Sequence, residues 1–468
     1  MARVMSPDAP PENGGGVRGP FPTGREFREV LNLALPVAAV QVGMMAMGVV
    51  DTVMVGHYSA RDLAAVALGN LYFFTAAVFP MGVLMALDPV VSQAVGAGDQ
   101  PAVGRALQRG GLLALVLGVP GALALLPGEY LLQLLGQPPE VVPVAAGYAL
   151  AAIPGLFPFL AFIVFRQTLQ AMGRVAPIVV TILMANLLNL VLNWVLIFGR
   201  LGFPELGAVG SGWASSLSRW AMFLGLLVFS WPLLKGYVRP IRPEVLQIRP
   251  LMRMLRLGSP IGIQFGLEYG AFGTTGLLMG WLGTVAMAGH QVALNLASLT
   301  FMVPLGISQA TAVLVGQGVG REKPRSARRA AGAGLLLGVV FMGATAVAFL
   351  LFPGFLARIY SSDSAVLGLA VTLIPLAGVF QVFDGLQVVA SGVLRGVGDT
   401  RSPMVLNLLG FWCIGMPVGL WLGFGASMGP RGLWWGLVLG LASVAILLLL
   451  RVRVRMSRSL RRIVIDEE

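Results

Sequence analysis

Long apolar runs, broken by short turns of Gly, Pro and Arg, set the pattern of this chain. A helix needs about 20 apolar residues to cross the hydrocarbon core of a bilayer. Twelve such runs are readable, at 31–56, 63–88, 108–128, 141–165, 176–199, 209–231, 257–281, 286–316, 331–352, 365–393, 402–425 and 432–450. Asp62 and Ser364 stand at the starts of the second and tenth runs and are expected to cap them. Residues 1–24 are rich in Pro and Gly and lack an apolar core, which predicts a disordered leader without a cleavable signal.

Composition agrees with this pattern. Of 468 residues, 57% are hydrophobic and 11% charged, against about 25% charged in soluble domains. The fold class expected is an all-α integral membrane protein. The net charge of +12 raises the question of nucleic acid, but the arginines sit on short turns without interleaved aromatics. If the runs alternate in direction, Arg25, Arg28, Arg105, Arg109, Arg166, Arg174, Arg395 and Arg401 fall on one side. So do the links 232–256 and 321–329 and the tail after the last run, whereas the other side holds Arg61, Arg200, Arg358 and Arg431. The positive-inside rule then predicts a cell (inner or plasma) membrane protein with both termini cytoplasmic. A single cysteine, Cys413, excludes an internal disulfide, and two histidines, His57 and His290, argue against a histidine-rich metal site.

The runs repeat. A shift of 224 positions superposes Pro36 on Pro260, Gly56 on Gly280, Pro80 on Pro304, Gly82 on Gly306, Gln93 on Gln317, Gly96 on Gly320 and Arg105 on Arg329. Leu169-Gln-Ala-Met-Gly173 resembles Leu394-Arg-Gly-Val-Gly398 at a shift of 225. The expected organisation is an amino-terminal six-helix lobe at 25–231, a linker at 232–256, a carboxy-terminal lobe at 257–450 and a basic tail at 451–468. An even number of crossings per copy places the pseudo-two-fold axis along the membrane normal, with the substrate site between the copies. That architecture points to a transporter.

Acids inside a membrane cost about 2.5–3.5 kcal/mol each at a helix centre on insertion scales, so each asks for a function. Asp51, Glu268 and Asp384 lie within runs 1, 7 and 10. Helical spacing groups Gln264 with Glu268, and Gln381, Asp384, Gln387 and Ser391 along one stripe. Asn186, Asn189 and Asn193 share a face of run 5 and could partner Asp51, or serve packing alone. Asp88, followed by Pro89, fits a local turn or an arginine partner, and Arg219 either neutralises an acid or reaches for the interface. Pro36, Pro154, Pro260 and Pro375 are expected to bend their helices, Pro36 with a part in gating. The clustered methionines, as in Met44-Met45-Ala-Met47, fit apolar packing or an adaptable pocket. No phosphate-cradling loop, metal-ligand cluster or ATPase domain is present, so the chain does not read as an enzyme and its transport needs an ion gradient.

Pro36…Gln41…Asp51-Thr-Val-Met-Val-Gly56, Leu63-Ala-Ala-Val-Ala-Leu-Gly69, Ala288-Gly-His-Gln-Val-Ala-Leu-Asn295 and Leu394-Arg-Gly-Val-Gly-Asp-Thr400 together resemble the multidrug and toxic compound extrusion (MATE) transporters, in particular their NorM-like branch. The resemblance covers about residues 25–450, with Asp88 departing from the small or apolar residue expected there. It implies two pseudo-symmetric six-helix bundles and a monomeric antiporter without cofactor that expels small organic cations in exchange for sodium ions or protons. It further implies that Asp51, Glu268 and Asp384 bind the coupling ion, with sodium at Glu268, Asp384 or Asp51, or the drug. The family's span 5 asparagines match Asn189 and Asn193, which supports a cation site with Asp51; Gln264, Gln381 and Gln291 are read as further supporting polar residues, and Pro36 and Pro260 as bending or gating positions. The alternatives are a flippase for lipid-linked precursors, which should line its cavity with bases, and an integral membrane enzyme.

Overall fold

The computed structural model describes residues 21–466, so most of the leader lies outside the described residues. Twelve long helices follow in order: α1 Gly24–Gly56, α2 Ala60–Gly96, α3 Gln100–Leu125, α4 Val142–Ala171, α5 Ala176–Phe198 and α6 Gly207–Val238. The second half comprises α7 Ile248–Trp281, α8 Thr284–Gly320, α9 Pro324–Leu351, α10 Ser364–Gly396, α11 Arg401–Gly425 and α12 Pro430–Ser457. Among the described residues no strand occurs. Eleven of these helices are long and apolar enough to cross a membrane, and α7 is the exception. Gln264, Glu268 and the glycines between 262 and 280 dilute its apolar character. The protein is a multi-pass membrane protein. Large apolar side chains such as Leu183 remain 64% exposed on the outside of the bundle, as lipid requires.

Several helices extend past the apolar runs, because backbone hydrogen bonding continues where charged residues meet water. Most of 232–256 is helical in this way: α6 runs to Val238 and α7 starts at Ile248, leaving a short link that includes the one-turn helix Pro243–Leu246. Both expected caps shift by a few residues. Ser59, not Asp62, caps α2 by accepting the Asp62 N–H, while the Asp62 carboxylate accepts the Ala208 N–H at 2.7 Å, at the start of α6. Asp363, not Ser364, caps α10, its Oδ1 accepting the N–H groups of Ala365 and Val366. Only the residue just before a helix can turn its side chain back onto the free N–H groups.

Helix α2 breaks at Met85-Ala86, just before Asp88 and Pro89. A turn of tighter helix at Ile153–Gly155, around Pro154, interrupts α4. Wider turns occupy Leu408–Gly415 and Trp421–Gly425 of α11. Pro36, Pro260 and Pro375 lie inside α1, α7 and α10.

The repeat seen in sequence reappears as paired contacts between the halves. A Cβ on Gly82 would lie 2.3 Å from Gly262 Cα, and one on Gly306 2.8 Å from Ala38 N. A shift of 224 carries one contact onto the other. Farther toward the basic face, Gln93 Nε2 donates to the Gly396 carbonyl at 2.9 Å and Gln317 Nε2 to the Ala171 carbonyl at 2.8 Å. These two bonds are also images of one another. Glycines let the backbones meet, and the two glutamines satisfy carbonyls left free at helix ends.

Beyond α12 the tail crosses this junction. The Ile463 N–H donates to Gln93 Oε1 at 2.7 Å, and Arg462 pairs with Asp99 at 2.7 Å. Asp466 pairs with Arg105 at 2.6 Å and Arg109 at 2.5 Å, and Arg253 of α7 holds the Ile465 carbonyl at 3.0 Å. A segment covalently tied to the second half thus grips α2 and α3 of the first.

Candidate cation sites in the two halves

In the first half, α1 presents Asp51 to α5 and α6. Asp51 is 5% exposed. Its Oδ1 accepts Asn189 Nδ2 at 3.0 Å and Asn193 Nδ2 at 2.7 Å, and its Oδ2 accepts the Ser215 hydroxyl at 2.6 Å. Hydrogen bonds to a charged group contribute about 1.5–3 kcal/mol each, enough to offset much of the cost of burying the carboxylate. Asn189 and Asn193 reach it together because four residues make about one helical turn. Asn186 does not join them: one turn earlier, it donates to the Gly43 carbonyl of α1 at 2.9 Å. The Oδ1 atoms of Asn189 and Asn193 are buried without a hydrogen-bond partner among the described residues. Beside the carboxylate, such free acceptors are oxygens that a bound cation could use.

In the second half, α7 and α10 bring Glu268 and Asp384 together. Both are half-buried. Glu268 Oε1 accepts Gln387 Nε2 at 2.6 Å and Gln264 Nε2 at 3.1 Å. Gln387 also contacts Asn407 Oδ1 of α11 at 3.3 Å. Asp384 makes no hydrogen bond among the described residues, and the charge acting on it is that of Glu268. Two like charges with neutral amide partners form a site that gains from a positive guest. Arg395, whose charge also acts on Glu268, stands farther along α10.

The predicted stripe on α10 divides. Gln387 faces Glu268, whereas Gln381 turns to α9 and accepts the Thr345 hydroxyl at 2.8 Å. Gln291 is exposed on α8 and donates to Asn295 at 3.2 Å, with no hydrogen bond to either acid group among the described residues. Ser215 and Asn407 were not legible as site residues. Their polar groups resemble the packing serines of α6 and an ordinary helix-end amide, and only the pairing of distant helices reveals them. Asp88 is buried after the break in α2, with Arg166 and Arg395 as the charges acting on it. Arg166 itself donates to Gln41 at 3.1 Å. Among the described residues no group of three His, Cys, Asp or Glu converges as a metal site.

A family model described as MatE matches residues 36–195 and 260–421, once in each half. The chain is 39% identical over 459 residues to the multidrug resistance protein PmpM of Pseudomonas aeruginosa, covering 95% of this chain and 94% of that one. It is 37% identical over 442 residues to the multidrug resistance protein NorM of Burkholderia vietnamiensis, covering 92% and 95%. The crystal structure of the eukaryotic MATE transporter AtDTX14 superposes with a TM-score of 0.86 at 24% identity, over 93% of this chain and 98% of that one. Matched in both halves by the family model, and aligned almost end to end with these relatives, the chain belongs to the MatE family.

Proposed function

We propose that this protein is a secondary antiporter that expels amphipathic organic cations in exchange for sodium ions or protons. The observation that carries the reading is the Glu268–Asp384 pair, two membrane-embedded acids of which Glu268 is held by the amides of Gln264 and Gln387. An organic cation and a coupling ion would compete for that charge, so binding one expels the other. Relatives named multidrug resistance proteins support an efflux role. Asp51 supplies a second coupling-ion site in the first half. The two halves are the lobes of an alternating-access device whose junction at the basic face opens and closes. The positive-inside rule supports reading the basic face, and with it both termini, as cytoplasmic, and we read the carrier as a monomer. An anionic lipid headgroup would meet two carboxylates in this site, which disfavours the flippase alternative.

The test is ethidium transport into inverted vesicles, driven separately by a sodium and by a proton gradient. Uptake driven by one of them, and lost in Asp384→Asn with the protein still inserted, is expected. Uptake that follows neither gradient would overturn the antiport reading.

A further inference from the structure

Arg219 is a buried base that the mechanism above leaves without a role. It lies on α6 four residues after Ser215, hence about one turn away on the same face. Ser215 is the residue whose hydroxyl holds Asp51 at 2.6 Å. The Arg219 side chain does not reach for an interface: it is 8% exposed. Its guanidinium carbon lies 3.9 Å from the ring centre of Phe73 on α2 and 5.5 Å from that of Phe159 on α4. Nη1 is buried with no hydrogen-bond partner among the described residues. The aromatic faces therefore seat a full positive charge without neutralising it.

The carboxylate that this charge acts on is Asp51, and the neutral Tyr148 phenol of α4 lies within reach of both charges. Asp51 is thus faced by Asn189 and Asn193 from α5, Ser215 and Arg219 from α6, and Tyr148 from α4. A proton or a sodium ion arriving at Asp51 adds one positive charge near a fixed one. Both ions meet the same opposition, so Arg219 sets how tightly the site holds a cation rather than which cation it holds. The second half differs: Glu268 and Asp384 are two acids, and the one base acting there, Arg395, also acts on Asp88.

We propose that Arg219 is an internal counter-cation that weakens the Asp51 site for the coupling ion, so that the ion leaves again within each transport cycle. It is a positioning residue, acting through Asp51 and touching no substrate. The inference rests on reading Asp51 as a coupling-ion site.

Purified protein in liposomes tests it, with ethidium transport followed against the driving cation, sodium or protons. Arg219→Met is expected to lower the half-saturating cation concentration by about tenfold or more, the effect of removing a unit charge several ångströms away at low effective dielectric. Turnover at saturating cation should fall, because release becomes slow. Arg219→Lys keeps the charge and should stay within about threefold of the unmodified protein, since ammonium and guanidinium differ in fit but not in sign. Equal shifts in the Met and Lys variants, or none in either, would overturn the proposal in favour of a packing role. Should Arg219→Met fail to fold, Arg219→Gln carries the same expectation. Asp51→Asn separates the two ideas. If it leaves the cation dependence untouched, the Asp51 reading fails. If it abolishes that dependence while Arg219→Met shifts nothing, this inference alone fails.

Discussion

Replacing Gly82 by alanine would strike the junction between the halves where it has least room. A Cβ at Gly82 would lie 2.3 Å from Gly262 Cα, 2.6 Å from Gly262 N and 3.0 Å from the Ile261 carbonyl carbon. All three are backbone atoms, so no side chain can swing aside. Ordinary contact begins at 3.4 Å, and 3.4 − 2.3 leaves 1.1 Å by which α2 and α7 must part. Overpacking of this kind costs about 1–3 kcal/mol. The cost falls on the state closed at the basic face, because α2 and α7 belong to different halves. At about 1.4 kcal/mol per tenfold, the closed population should drop roughly 5- to 150-fold relative to the open one. Spin labels at Ala97 and Glu322, placed in a Cys413→Ser background, would report the separation of the two basic helix ends by pulsed electron resonance. A longer-distance population is expected in Gly82→Ala and, through the symmetric contact with Ala38, in Gly306→Ala. Gly48→Ala serves as the control, since a Cβ there meets nothing within 4 Å. Distance distributions identical to the parent protein in a folded Gly82→Ala variant would refute the reasoning.

Other expectations follow from particular bonds. Ser215→Ala removes the 2.6 Å hydrogen bond to Asp51, worth about 1.5–3 kcal/mol to the ionised form; the half-saturating coupling-cation concentration in liposomes should fall by roughly tenfold. Gln387→Leu takes the 2.6 Å donor from Glu268 and disfavours its charged form; the ethidium concentration for half-maximal transport should rise by about tenfold. In the tail, Arg462→Asp breaks the pair with Asp99. Cleavage of the last residues by added protease should speed up and return toward normal in the double swap with Asp99→Arg. The same dock depends on pH. Burial raises the Asp99 carboxyl, but the bonds from Arg462 and the Ala102 N–H outweigh it and hold the group below the usual aspartate range. A group lowered on docking contributes above its undocked value and loses that contribution as pH falls through its docked one. Tail cleavage by an acid-active protease should therefore increase only below the ordinary aspartate range.

The features legible in the sequence are those that the membrane and the symmetry make costly to vary. Gly82 and Gly306 stand 224 residues apart because each must let one half approach the other's backbone, and Gln93 and Gln317 because each closes the corresponding helix end of the other half. Asp51, Glu268 and Asp384 stood out because acids are rare where lipid surrounds the helix. What escaped detection depends on which helices become neighbours. Ser215 joins Asp51 across 164 positions, and Asn407 reaches Gln387 only because α11 packs beside α7, whose Glu268 the same amide holds. A stripe at helical spacing likewise could not reveal that Gln381 and Gln387 face different partners. The helix caps moved because a cap is fixed by backbone turn geometry, to which composition is blind.

Direct binding to the purified carrier tests the central claim most closely. Radiolabelled tetraphenylphosphonium should bind, and sodium ions or added acid should displace it competitively. Both effects should be weakened at least about tenfold in Glu268→Gln and Asp384→Asn, as removal of a close charge requires. Organic-cation binding that is indifferent to both ions and unchanged in these two variants would contradict the account.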